Sequence, residues 1–208
     1  MFSVNLPRYA GVSSPSSVVG DRVEDILQAA CRVVVRDGAH GLRMAGVAEE
    51  AGVSKALLHY YFSTRQELLH AAFAFSSRMW EAAVLAQLAG APNGAKRVEL
   101  YLLASVASTE PYDEHRALYN EVWSSLRIDS ELRPLVRDAY RAWVDKLVAL
   151  IGEGQADGSV PTGLAARATA QRLAAVADGL DSMLYLGLAD RPKARRLLRE
   201  SLEREFAA

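Results

Sequence analysis

Val47-Ala48-Glu49-Glu50-Ala51-Gly52-Val53-Ser54-Lys55-Ala56-Leu57-Leu58-His59-Tyr60-Tyr61-Phe62 is the stretch on which the fold turns. A helix-turn-helix needs a small residue where its second helix crosses the first, and Ala48 supplies it. It needs a residue that tolerates positive φ at the turn, and Gly52 is one. It then needs apolar residues to seat the second helix. Val53, Leu58 and Phe62 do so, Leu58 and Phe62 lying one turn apart. Ser54 is a suitable N-cap for the helix Lys55–Phe62, which leaves Lys55, Ala56, Leu57 and Tyr60 facing outward.

On either side the chain keeps a helical period. Ile26, Leu27, Ala30, Val33 and Val34 make one apolar stripe on a helix that starts near Asp21 and is stopped by Gly38 and Gly41. A short helix follows over about 44–51. Beyond the motif, Ser63 and Thr64 offer a cap, with Glu67 three residues after Thr64 in capping-box spacing. A long helix runs from there to about Ala89. After the turn Pro92-Asn93-Gly94, helices are expected at about 95–109, 113–127, 131–153, 163–189 and 191–203. No run alternates with period two, so no strand is expected. Residues 1–20, with Pro7, Gly11, Pro15 and Gly20, read as a flexible arm with Arg8 as its charge. The expected architecture is all-α: arm 1–20, a three-helix helix-turn-helix domain over 21–68, and a helical bundle over 69–208.

A short helix presented this way suits the DNA major groove, with its N-terminal residues at base edges. Lys55 can reach a phosphate or a guanine. Ala56 and Leu57 can make only apolar contacts, for example with a thymine methyl. Tyr60, Tyr61 and His59 can donate hydrogen bonds to phosphates. Ser54 leaves backbone N–H groups at the same end. Thr64 and Arg65 open the next helix, where N–H groups, the positive dipole end and a guanidinium make a second phosphate clamp. The competing explanation is that tyrosines and a histidine on a short helix are half-buried packing residues.

The same residues resemble the tetracycline-repressor (TetR) family. Gly38, the Ala48–Gly52 turn and GVSKALLHYYFSTRQELL at 52–69 are similar to its signature, and ILQAACRVVVRDG at 26–38 is similar to its first helix. The resemblance implies phosphate contacts at Lys55, His59, Tyr60, Tyr61, Thr64 and Arg65, Arg65 standing where the family usually has lysine. It also implies a DNA contact at Arg43. There the family usually has a threonine cap; arginine caps poorly but carries a guanidinium.

For the second half the resemblance implies a dimer and a sensing pocket. Two helix-turn-helix heads one DNA turn apart, or a multiple of it, double the contacts on a palindromic site, so a homodimer on a double-stranded operator is expected. Its interface is placed on the helices 131–153 and 163–189, the second rich in alanine. Pocket candidates are Trp80, Tyr101, Tyr119, Trp123, Trp143, Asp178, Asp181 and Tyr185. Asp178 and Asp181 stand three apart in an apolar helix. They can face a cationic ligand beside aromatic rings, stay solvated, or pair with an arginine. Residues 119–189 are similar to the choline-responsive BetI-like subgroup, which implies a cationic or amine effector of unknown identity. Family habit implies repression and release by the effector, handed on by the long helix from Thr64.

Gross composition is ordinary for a globular chain: 208 residues, 50% hydrophobic and 24% charged. The net charge of -1 gives no sign of nucleic acid, so a DNA-binding role has to come from local placement. The single cysteine, Cys31, excludes a disulfide framework and reads as a core thiol. No uncharged apolar run is long enough to span a bilayer, and no signal-peptide pattern opens the chain; a soluble, cytoplasmic protein without membrane partners is expected. The histidines His40, His59, His70 and His115 are scattered, and Glu114-His115 reads as a solvated helix start. No metal spacing, nucleophile elbow or phosphate loop is present. No catalytic residue, metal or cofactor is expected. A helical enzyme and a purely structural dimer are the competing function classes.

Overall fold

The computed structural model describes residues 17–106, 113–126 and 130–207. Among them are nine α-helices and no strand: α1 (Ser17–Asp37), α2 (Met44–Glu50), α3 (Lys55–Tyr61), α4 (Arg65–Leu88), α5 (Gly94–Val106), α6 (Asp113–Ser125), α7 (Arg133–Asp157), α8 (Ala166–Tyr185) and α9 (Arg191–Ala207). Helix α1 begins four residues earlier than its period suggests. Residues 1–16 of the expected arm, and the helix breaks expected at Pro111 and Asp129, fall outside the described residues.

Local chemistry explains where the first elements stop. Gly52 has φ 64, and around it the Gly52 amide donates to Glu49 O at 3.1 Å and the Val53 amide to Ala48 O at 2.9 Å. This pair of bonds is a Schellman motif; it satisfies the last carbonyls of α2 and turns the chain into α3. Ser54 Oγ accepts from the Leu57 amide at 3.1 Å. Thr64 Oγ1 accepts from the Glu67 amide at 3.0 Å, and the Glu67 carboxylate reaches back to the Ser63 amide at 2.8 Å. The capping box therefore closes one residue before the cap itself. Asn93 also caps: its side-chain oxygen accepts from the Lys96 amide at 2.9 Å and opens α5.

Two apolar cores result. The first joins Ile26, Ala30, Val33 and Val34 of α1 to Val47, Ala48, Leu58, Phe62 and the N-terminal half of α4. Leu118 and Val122 of α6 and Val136 of α7 complete it. The second joins the C-terminal half of α4 to α5, α7, α8 and α9. Helices α4 and α7 thus each begin in one core and end in the other. Cys31 packs on the first core; its thiol is 3.5 Å from Ala72 O, and burial pushes its pKa up to about 12, which keeps it a thiol. At the crossing of α5 and α7, a Cβ built on Gly94 would lie 2.3 Å from the Gly154 backbone. The two glycines let these helices touch backbone to backbone.

Candidate functional site

The helix α3 is anchored by Leu58, fully buried, and by Phe62 just past its end. Its other side is open. Lys55, Ala56 and His59 are exposed and Tyr60 is 80% exposed, while Leu57 and Tyr61 are half-buried. Tyr60 and Tyr61 meet edge to face, centroids 5.1 Å apart. Exposed Ser54 and Thr64 flank the helix, and Arg43 is exposed at the N-cap of α2 with no side-chain cap bond. Replacing Ser54 by alanine removes the bond to Leu57 and costs about 1 kcal/mol; the expected readout is a melting temperature lower by about 2–4 °C.

Arg65, expected in a phosphate clamp, also has partners within the protein. Its Nε donates to Leu42 O at 3.1 Å and its Nη2 to Ala39 O at 2.6 Å. The guanidinium thus braces the start of α4 against the loop before α2. A second brace ties α1 to α2: Arg32 and Arg36 both donate to Glu50 at 2.9 Å and hold its carboxyl below the ordinary range.

The second candidate region lies where the two cores meet. Trp80, His115, Tyr119, Trp123, Tyr140, Trp143 and Tyr101 form a closed circuit of ring contacts, with neighbouring centroids 5.5 to 6.4 Å apart. The rings come from α4, α5, α6 and α7. Their polar atoms fix their tilt. Trp143 Nε1 donates to Ser105 Oγ at 2.9 Å, and Ser105 Oγ donates to Tyr101 O at 3.0 Å. Ser76 Oγ and His115 Nδ1 are 2.9 Å apart.

Two carboxylates of α8 stand beside the circuit. Asp178 accepts from the Tyr140 hydroxyl at 2.8 Å, and Asp181 pairs with Arg116 at 3.0 Å. Desolvation raises the Asp178 carboxyl above its ordinary value; the Tyr140 hydrogen bond opposes this and the Asp181 charge adds to it. Burial chiefly, then the charges of Asp178, Tyr140 and Asp181, raise the Tyr119 phenol, which puts both carboxylates within electrostatic reach of that ring.

Of the eight pocket residues read from the sequence, five are in the circuit and Asp178 and Asp181 adjoin it. Tyr185 stands apart, 80% exposed at the end of α8. The sequence reading left out Tyr140, His115 and Arg116. A signal existed for the first two: Tyr140 is three residues before Trp143, and His115, Tyr119 and Trp123 recur every fourth residue along one face of α6. His115 is not a solvated helix start. It stacks on Trp80 at 5.5 Å, and burial lowers its pKa to about 4.

This lowered value has a consequence in acid. Between pH 6.5 and 4.5 the unfolded chain takes up a proton at this histidine that the folded chain refuses, so stability falls as pH falls. The expected loss is roughly 2 kcal/mol over that window, measured by urea denaturation, and His115→Gln removes this component. An identical pH dependence in the variant counts against the buried, neutral ring.

Among the described residues no helix is long and apolar enough to cross a membrane, and no group of three or more metal-capable side chains is found. Comparison with known proteins gives a consistent answer for both halves. Residues 26–72 match the family of bacterial regulatory proteins, tetR family, and residues 94–207 match the BetI-type transcriptional repressor, C-terminal family. The HTH-type transcriptional regulator BetI of Brucella melitensis biotype 2 is 27% identical over 177 residues, covering 83% of this chain and 84% of that protein. The crystal structure of a Rhodococcus sp. protein assigned to the TetR family superposes with a TM-score of 0.81 at 27% identity, over 90% of this chain and 99% of that one. A Saccharomonospora viridis transcriptional regulator, crystallised in complex with choline, superposes with a TM-score of 0.77 at 25% identity, over 88% and 96%. The chain belongs to the TetR family of bacterial DNA-binding transcriptional regulators, with a C-terminal domain of the BetI type.

Proposed function

We propose that this chain is a homodimeric repressor that leaves a palindromic operator when a small cationic ligand enters the aromatic circuit. The carrying observation is the closed set of seven rings beside two carboxylates. Ring faces attract a cation through their quadrupole, most strongly where water is excluded, and choline in the Saccharomonospora viridis relative has that chemistry. Residues 21–68 act on DNA and residues 69–208 on ligand and partner.

On DNA, α3 enters the major groove. The exposed Lys55 and Tyr60 reach the DNA, Ala56 and Leu57 give apolar contact, and Ser54, His59, Tyr61 and Thr64 meet the backbone. Arg43 adds a guanidinium on the neighbouring helix. Arg65 joins this surface mainly by holding it in place. The mate docks on the outward side of α8, where Ala175 and Gly179 are exposed, together with α7.

Release follows from how the rings are mounted. Leu118 and Val122 of α6 are buried in the core that carries α3, while His115, Tyr119 and Trp123 of the same helix belong to the circuit. A ligand that rearranges the rings shifts α6, and α4 with it through Trp80, and so alters the spacing of the two heads. The test is a gel shift on the DNA upstream of the chain's own gene, at low salt, with and without choline chloride. A specific complex that dissolves on adding choline is the expected outcome. No specific complex without ligand, or one indifferent to choline, overturns the repressor-release reading.

A further inference from the structure

The two carboxylates beside the circuit are not equivalent. Among the described residues Asp178 accepts a phenol hydrogen bond from Tyr140 and pairs with no cation, so its charge stays available. Asp181 already meets a cation of the protein: Arg116 Nη1 is 3.0 Å from its Oδ1, with both side chains only about a quarter exposed (26% and 24%). The backbone at Arg116 is held on both sides. It follows His115, whose ring is stacked on Trp80, and precedes Leu118, which is fully buried in the N-terminal core. Asp181 lies one residue from Leu180, buried in the second core. The backbones that carry the two partners cannot move apart without disturbing a core.

We propose that Arg116 is a tethered cation that occupies Asp181, so that the circuit selects a ligand bearing a single positive charge and Asp178 alone answers that charge. This rests on the cationic-ligand reading above and sharpens it. A second positive charge on the ligand finds its counter-ion taken. To reach Asp181 it has to displace the guanidinium from a partly desolvated pair and leave that guanidinium beside it, a penalty against the wrong ligand rather than a gain for the right one. Arg116 is thus a specificity-determining residue.

Calorimetric titration of the full-length protein at fixed ionic strength tests this, with tetramethylammonium chloride and 1,2-bis(trimethylammonio)ethane dichloride as probes. The wild type is expected to prefer the monocation at least tenfold. Arg116→Gln, which frees Asp181, moves the ratio at least tenfold toward the dication. Asp181→Asn, which makes the site more positive by one charge, weakens tetramethylammonium at least tenfold. The double variant, neutral at both positions, returns to within about threefold of wild type in both affinities. An unchanged ratio in Arg116→Gln overturns the proposal. If that variant fails to fold, the other two decide: Asp181→Asn with undiminished affinity, or a double variant as weak as Asp181→Asn, overturns it, the latter because Asp181 would then touch the ligand itself. A wild type that binds neither probe overturns the cationic-ligand reading along with this one, whereas binding with no charge discrimination overturns this one alone.

Discussion

Lys55→Glu is expected to weaken operator binding by at least a hundredfold at low salt, about 3 kcal/mol, and to leave the melting temperature unchanged. Lys55 is the first residue of α3 and is exposed. A dimer presents two copies of it, and the substitution turns two attractions for phosphate into two repulsions. Each lost phosphate contact also removes about 0.9 from the slope of log affinity against log salt, so the slope should become shallower by about 2. The fold has no reason to suffer, because a carboxylate at the first turn of a helix interacts well with the dipole. Filter binding across a salt series, beside a melting curve, separates the two effects. A variant that melts normally and binds as tightly as wild type would remove α3 from the DNA surface.

Gly94→Ala is the other large effect. The added Cβ would sit 2.3 Å from both the Cα and the amide nitrogen of Gly154, and 2.9 Å from the carbonyl carbon of Glu153. None of these is the end of a movable side chain, so α5 and α7 must separate. That separation also breaks two bonds at the start of α5: Asp157 accepts from the Gly94 amide at 2.7 Å and Ser159 Oγ from the Ala95 amide at 2.9 Å. Ordinary overpacking costs roughly 1–3 kcal/mol; with backbone against backbone the expected loss is about 4 kcal/mol, or a fall in melting temperature on the order of 10 °C. Gly154→Ala is milder. Its Cβ meets chiefly Val160 Cγ2, at 2.5 Å, and the second substitution Val160→Ala should recover much of the loss. Urea denaturation of the three proteins gives the comparison, and equal stabilities for Gly94→Ala and wild type would contradict the close crossing.

The N-terminal elements were legible because their determinants are local. A glycine in the left-handed region, a serine and a threonine with an amide three residues on, and apolar residues spaced by four place α2, α3 and the start of α4 within a residue of where they lie. The rings were legible as a set of aromatic residues but not as a closed circuit. Closure depends on how four helices cross, and that depends on contacts such as Gly94 against Gly154, which no period reveals. Tyr140 shares a face of α7 with Trp143, but that spacing does not say that the face closes a circuit, and helical spacing alone does not say on which side of α8 Tyr185 emerges. Arg65 illustrates a different limit. Its charge and position suit a phosphate, yet the carbonyls of Ala39 and Leu42 lie 26 and 23 residues away along the chain and become its partners only once the head has folded. Arg116 and Asp181, 65 residues apart, are a pair of the same kind.

The sharing of the first core between α1–α4 and the later helices sets a limit on modularity. Leu118, Val122, Leu132 and Val136 line a wall of the DNA-reading head but are encoded after its last dedicated helix. A fragment ending at α4 would lack that wall, leave the apolar face beneath it open to water and be prone to self-association. Chimeras that graft this head onto a relative's sensor should therefore carry α6 and the opening turns of α7 with it, or be re-matched at those four side chains.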